Sequence, residues 1–155
     1  MKSILIVALL VLLDQGTKLL TILKLKGNPP LTVLKGIFEL TYVENTGVAF
    51  GIFANKQYGP ILLSVFTGII FLLILYFWYK LPLTKKYDTI RFVLLFLIAG
   101  ALGNLIDRVR LGYVVDMLHF YWFEFPVFNL ADIYVVTGSL VLIGLVMTKY
   151  KDLEF

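Results

Sequence analysis

The feature that most constrains this chain is an apolar run from about Gly59 to Tyr79 that contains no charged side chain. About 20 predominantly apolar residues, wound as a helix, cross the hydrocarbon core of a bilayer. Inside that core no water is available to the backbone, so a lipid-facing segment must satisfy its own hydrogen bonds as a helix. Tyr76, Trp78 and Tyr79 supply interfacial aromatics at one end of the run. The rest of the chain is written for the same solvent. Of its 155 residues 60% are hydrophobic and 15% charged, with a mean hydropathy of +0.92. Soluble domains carry about 45–50% apolar and about 25% charged residues. The chain is therefore read as an α-helical integral membrane protein.

Three further spans follow the same logic. Met1 and Lys2 precede an apolar run from Ile4 to Leu13 that resembles the front of a secretory signal. No small-x-small cleavage site follows, and the run continues through Asp14 to Leu23, so the first helix is expected uncleaved at about 3–24. A third helix is expected at about 89–111 and a fourth at about 130–148. Between the first two, Asn28-Pro29-Pro30 stops any helix, and residues 31–50 are rich in β-branched and aromatic types. Lys35-Gly36 provides a turn there, so this stretch predicts a β-ribbon outside the bilayer core, ending in the tight turn of Asn45-Thr46-Gly47. Residues 112–129 are expected to form an outer loop. The whole is read as one membrane domain.

Composition also excludes chemistry. With no Cys there is no disulfide, thiolate nucleophile or Cys-ligated metal, and a single histidine, His119, makes a His-rich metal centre implausible. Nothing interleaves basic and aromatic residues as a nucleic-acid surface does. The net charge of +4 suits basic loops facing anionic lipid. Lys2, the link bearing Lys80, Lys85, Lys86 and Arg91, and the tail lysines Lys149 and Lys151 fall on one side. The other side carries as many cations in total, but spread over a much longer stretch of chain. The short-loop bias puts both termini and the 80–91 link in the cytoplasm and both long loops outside.

Against this apolar background the polar residues stand out. Asp14 and Lys18 are four apart on one face of helix 1. Each would cost about 2.5–3.5 kcal/mol alone near the bilayer centre. They read equally as an ion pair locking the helix or as part of an active centre. On helix 3, Gly100, Asn104, Asp107, Arg108 and Leu111 fall on one stripe, while Ala99 and Gly103 let a neighbour approach closely. Asn104 could be interhelical glue and Asp107–Arg108 a headgroup anchor; for Arg110, off the stripe, anchoring is favoured.

Asp116 sits between Val115 and Met117 in an apolar extended stretch, where a carboxylate needs a partner. Asp132 follows Asn129 with the spacing of a capping box, which alone would explain it. Brought together near an apolar boundary, the two could not both ionise cheaply and would share a proton. That is the acid/base arrangement of aspartic proteases. A small membrane carrier, or a proton or ion relay using the buried Asp, Lys and Arg groups, is the alternative. Carriers usually carry internal repeats, and none is convincing here.

Five blocks taken together carry a resemblance. They are Asp14-Gln15-x-Thr17-Lys18, Glu44-Asn45-Thr46-Gly47-Val48-Ala49-Phe50, Gly100-x-x-Gly103-Asn104-x-x-Asp107-Arg108, Val115-Asp116 and Phe128-Asn129-x-Ala131-Asp132. In this order, over nearly the whole chain, they closely resemble the lipoprotein signal peptidase (signal peptidase II) family. The resemblance implies four membrane helices with a small extracytoplasmic β-cradle, here the ribbon of 31–50. It implies a multi-pass enzyme of the bacterial cytoplasmic (inner) membrane with its site near the outer face. That enzyme is a cofactor-free aspartic endopeptidase cleaving diacylglyceryl-modified prolipoproteins before the lipidated cysteine. Asp116 and Asp132 match the catalytic pair. Asn45, Asn104, Arg108 and Asn129 match residues lining the site, with Asp107 supporting it. Asp14 and Lys18 match the polar pair of helix 1, and Gly47 and Ala49 the turn of the ribbon. Part of 51–58 or 117–127 would cover the site. The run Phe120-Tyr121-Trp122-Phe123 with Phe125 and Pro126 would dock on membrane or acyl chain, or form an ordinary interfacial belt. Membrane lipid and globomycin-type inhibitors are the other implied partners.

Overall fold

The computed structural model describes residues 2–47 and 59–150. The turn residues Val48 to Phe50, including Ala49, the suggested cover at 51–58 and the tail cation Lys151 lie outside the described residues. Among the described residues, four helices have the length and apolarity to cross a membrane: α1 Lys2–Leu25, α2 Gly59–Lys80, α3 Asp88–Leu111 and α4 Leu130–Thr148. The described residues also form three strands: β1 Leu31–Leu34, β2 Phe38–Asn45 and β3 Val114–Phe120.

Helix α3 is the hub, packing against each of the other three. In its most apolar stretch 61% of residues are buried, against 17% or less in the others. Small residues make this possible. A side chain at Gly100 would begin 2.5 Å from the Ala131 carbonyl oxygen, and one at Gly103 would meet Asp14 Oδ2 at 2.6 Å. Loss of either glycine would push α4 or α1 away. Helix α1 is inverted relative to a soluble helix. Its buried residues are Asp14, Lys18 and Thr21, while Leu5, Leu9 and Leu12 are exposed. In lipid the apolar face needs no cover, so polar contact decides which face turns inward.

At the end where α1 begins and α4 stops, the basic link closes the bundle. Arg91 Nη1 donates to the carbonyls of Trp78 (2.9 Å) and Leu81 (2.7 Å), and its guanidinium lies 4.3 Å from the Trp78 ring centre. Two of the last carbonyls of α2 and its adjoining turn are thereby satisfied from α3.

The sheet lies at the opposite end, antiparallel in the order β1-β2-β3. Gly36, at φ +80°, makes the hairpin turn between β1 and β2. The Tyr121 hydroxyl holds that turn, accepting from Gly36 N and donating to the Leu34 carbonyl at 3.4 Å. The expected outer loop of 112–129 is corrected here, because its first half is a strand. Gly112 ends α3 in a left-handed conformation (φ 81°), and β3 then pairs Val114 with Asn45 and Asp116 with Val43. Val114 to Met117 are all buried. A strand covered on both faces shows no polar–apolar alternation, so pattern reading misses it.

Candidate active site

The start of α4 sets the site. Asn129 is its N-cap, accepting from Asp132 N on its side chain (3.0 Å), while Asp132 Oδ2 accepts from Asn129 N (3.1 Å). The capping box read from the sequence is present. It does not consume Asp132, whose Oδ1 accepts from Asn104 Nδ2 at 2.8 Å. Asn129 also turns its amide away from α4, donating to Asp116 Oδ1 at 2.6 Å. Asp116 Oδ2 accepts from Asn45 Nδ2 at 2.8 Å, and Asn45 Oδ1 in turn accepts from Gly47 N at 3.0 Å. Capping and a place in the site are therefore one arrangement, not alternatives.

Asp116 and Asp132 line one cavity of about 580 Å³, together with Asn45, Gly47, Asn104 and Arg108. Phe120, Phe123 and Phe125 form its apolar wall, with Ile133 and Val136 of α4. The segment after β3 reaches this wall because Leu118 and Phe128 exchange backbone hydrogen bonds (2.8 and 3.1 Å). The 117–127 stretch thus contributes Phe120, Phe123 and Phe125 to the cavity, while Trp122 is exposed. Asp116 is only 1% exposed. Burial pushes its carboxyl up to about 7, and the nearby charge of Asp132 pushes the same way. The amides of Asn45 and Asn129 oppose this by bonding the charged form.

Behind the cavity lies a second polar layer. Lys18 Nζ sits 3.0 Å from both Asp14 Oδ2 and Asp107 Oδ2 and donates to Asn104 Oδ1 at 2.9 Å. The headgroup-anchor reading of Asp107 is corrected by this, since its carboxyl is buried against helix α1 and not at the surface. Asp14, Lys18 and Asp107 do not line the cavity. Arg108 does, and its Nη1 lies 3.4 Å from Thr67 Oγ1 of α2. Arg110 is exposed, its Nη1 3.5 Å from Gln15 Oε1. Gln15, to which the sequence pattern assigns no role of its own, bridges helices α1 and α3. Its Nε2 donates to Asp107 Oδ1 (2.9 Å), Asp14 Oδ2 (3.2 Å) and the Gly103 carbonyl (3.2 Å). Its place between Asp14 and Lys18 was the available signal, because a polar side chain one residue from a buried pair can reach the same neighbour.

A buried carboxylate (Asp116) and a half-buried one (Asp132) on one cavity, the first protonatable near neutrality, can divide general-acid and general-base work between them. The comparisons agree with that chemistry. The family model for signal peptidase (SPase) II matches residues 6–148. The lipoprotein signal peptidase of Caldanaerobacter subterraneus subsp. tengcongensis is 44% identical over 95% of this chain and 97% of its own length. That of Halothermothrix orenii is also 44% identical, over 89% and 90%. A bacterial membrane enzyme structure obtained by the in meso method at 2.3 Å superposes with a TM-score of 0.78 at 31% identity, covering 99% of this chain and 93% of the other. With the match running almost end to end, this chain belongs to the signal peptidase II family.

Proposed function

We propose that this protein removes signal peptides from lipoprotein precursors, with Asp116 and Asp132 as the catalytic pair of an aspartic endopeptidase. The observation that carries this is the cavity shared by the two carboxyls, behind whose wall the buried Asn129 bonds both at once. The pair holds one proton. Its charged member takes a proton from a water molecule as the water oxygen attacks the scissile carbonyl carbon. Its neutral member donates a hydrogen bond to the carbonyl oxygen. The proton then passes to the departing amide nitrogen, the C–N bond breaks, and the pair returns to its singly protonated state. Arg108, the cation on the cavity wall, faces the negative charge that develops on that oxygen.

The substrate follows from the walls. A cavity of about 580 Å³ with phenylalanines on one side and α4 on the other suits an acyl-bearing residue arriving from lipid. This fits a diacylglyceryl-modified cysteine just after the scissile bond, and a globomycin-type cyclic peptide would compete for the same space. The short-loop charge bias places both termini in the cytoplasm and the cavity near the outer face of the bacterial cytoplasmic membrane. Because the chain has no native Cys, a Trp122→Cys variant should react with an impermeant maleimide from outside the cell and Leu83→Cys should not. The reverse pattern would overturn the orientation.

The decisive assay compares purified wild type, Asp116→Asn and Asp132→Asn on a diacylglyceryl-modified precursor in detergent, beside the unmodified precursor. Both variants should insert and show no turnover, and wild type should cleave only the modified form. Turnover by either purified variant refutes the catalytic pair.

A further inference from the structure

Each carboxylate of the buried layer behind the cavity ends on the backbone one residue ahead of a proposed catalytic aspartate. Asp14 Oδ1 accepts from Ala131 N at 2.9 Å, and Asp107 Oδ2 accepts from Val115 N at 3.1 Å. Lys18 joins the two carboxylates from a single ammonium. Its third contact, Asn104 Oδ1, also accepts from Asn129 Nδ2 at 3.1 Å. Asn104 holds Asp132, and Asn129 holds Asp116. One cation therefore reaches both aspartates twice, through their backbones and through their side chains.

Charge balance alone does not require this design. An Asp–Lys pair on α1 is neutral, and adding Asp107 from α3 leaves the buried trio with a net negative charge that desolvation penalises. What Asp107 adds is a fixed amide ahead of Asp116. Asp14 does the same at α4, taking an N-terminal N–H that has no partner within the helix. Space is reserved for it, because any side chain at Gly103 would strike Asp14 Oδ2. Gln15 Nε2 makes a second bridge between the same two carboxylates.

We infer that Lys18, with Asp14 and Asp107, is a positioning device that sets the spacing of the aspartate pair, so that the two carboxyls are held as one unit. This rests on Asp116 and Asp132 being the catalytic pair. An error of about 1 Å in such a geometry costs about 100-fold in rate.

The test is steady-state kinetics on monodisperse, full-length Asp14→Asn, Asp107→Asn and the double variant, on the modified precursor. Asn keeps an oxygen for each backbone N–H but loses the bond to the ammonium. Each single variant should lose about 10–100-fold in kcat with KM within about twofold of wild type. If one ammonium couples the pair, the double variant should lose much less than the product of the single losses. Wild-type kcat in either folded single variant, or losses that multiply, would overturn the inference. Should these variants fail to insert, Gln15→Leu removes the second bridge without stranding a charge. It should lower kcat several-fold at constant KM, and an unchanged kcat overturns the inference. Turnover by Asp116→Asn would instead sink the catalytic assignment beneath it.

Discussion

Helix α1 and the turn just after it each present a lysine to carboxylates at nearly the same distance, and the two contacts have different physics. Lys18 lies 3.0 Å from Asp14 and Asp107, with these side chains at most 3% exposed. Lys26, just past the helix end, lies 2.9 Å from Glu44, with the pair 52% and 42% exposed. The contrast repeats on the sheet, where Glu44 pairs with Val115 and Asp116 with the adjacent Val43. The Tyr42 hydroxyl and Lys26 hold the Glu44 carboxyl below the usual range, while burial and Asp132 push Asp116 up to about 7. Distance alone predicts neither outcome. Burial does, because desolvation is slight at the rim, where hydrogen bonds to the charged form win, and is the dominant influence at Asp116.

The largest effect that would break this comparison is at Lys18. Lys18→Met leaves Asp14 and Asp107 buried without their cation, and stranding one side of a buried pair costs about 3–5 kcal/mol. Thermal unfolding in detergent should show a large drop in midpoint, or little folded protein. A Lys18→Met protein as stable as wild type would mean that water reaches the trio.

How much of this could be read from the sequence differs by region. The spans were legible because lipid imposes a length and a composition that few other solvents do. So were the capping box at Asn129–Asp132 and the Asp14–Lys18 pairing, which are local spacings. The joining of Asp107 to Lys18 was not, since the stripe on α3 shows a polar face without naming the helix it meets. The pattern of strand β3 shows extended chain but no pairing partner, because Val114 to Met117 are buried on both faces. The Asp14 and Asp107 bonds to Ala131 N and Val115 N were invisible for a further reason. A backbone amide carries no residue letter, so no motif records it.

A middle-sized effect sharpens the comparison at Asp116. Its raised value means that the charged form is disfavoured in the folded protein, first by burial and then by Asp132. The neutral form's contribution to stability is complete below the ordinary carboxylate value and is lost as pH rises through about 7. Asn45 opposes the rise by donating to the charged form. Asn45→Ala should therefore raise the Asp116 value further. If the singly protonated pair is the active species, the alkaline limb of kcat/KM should move to higher pH. A limb that stays in place, or moves to lower pH, would show that Asp116 does not govern it.

The smallest effect belongs to the rim. Glu44 is depressed, so whatever stability Lys26 and Tyr42 lend through it is present above the ordinary carboxylate value and is lost as pH falls through the folded value. Both partners are half in water, where an ion pair gains little Coulomb energy and must immobilise two long side chains. Tyr42 also contacts the Tyr113 hydroxyl at 3.2 Å, so β2 keeps a tie to the end of α3 without the lysine. Lys26→Met should therefore leave the unfolding midpoint and kcat at wild-type values at neutral pH. Any residual difference should vanish as salt rises from about 0.01 to 1 M, where the screening length falls from about 30 to 3 Å. A salt-resistant loss as large as that of Lys18→Met would place Lys26 in a dry environment and erase the distinction between the two lysines.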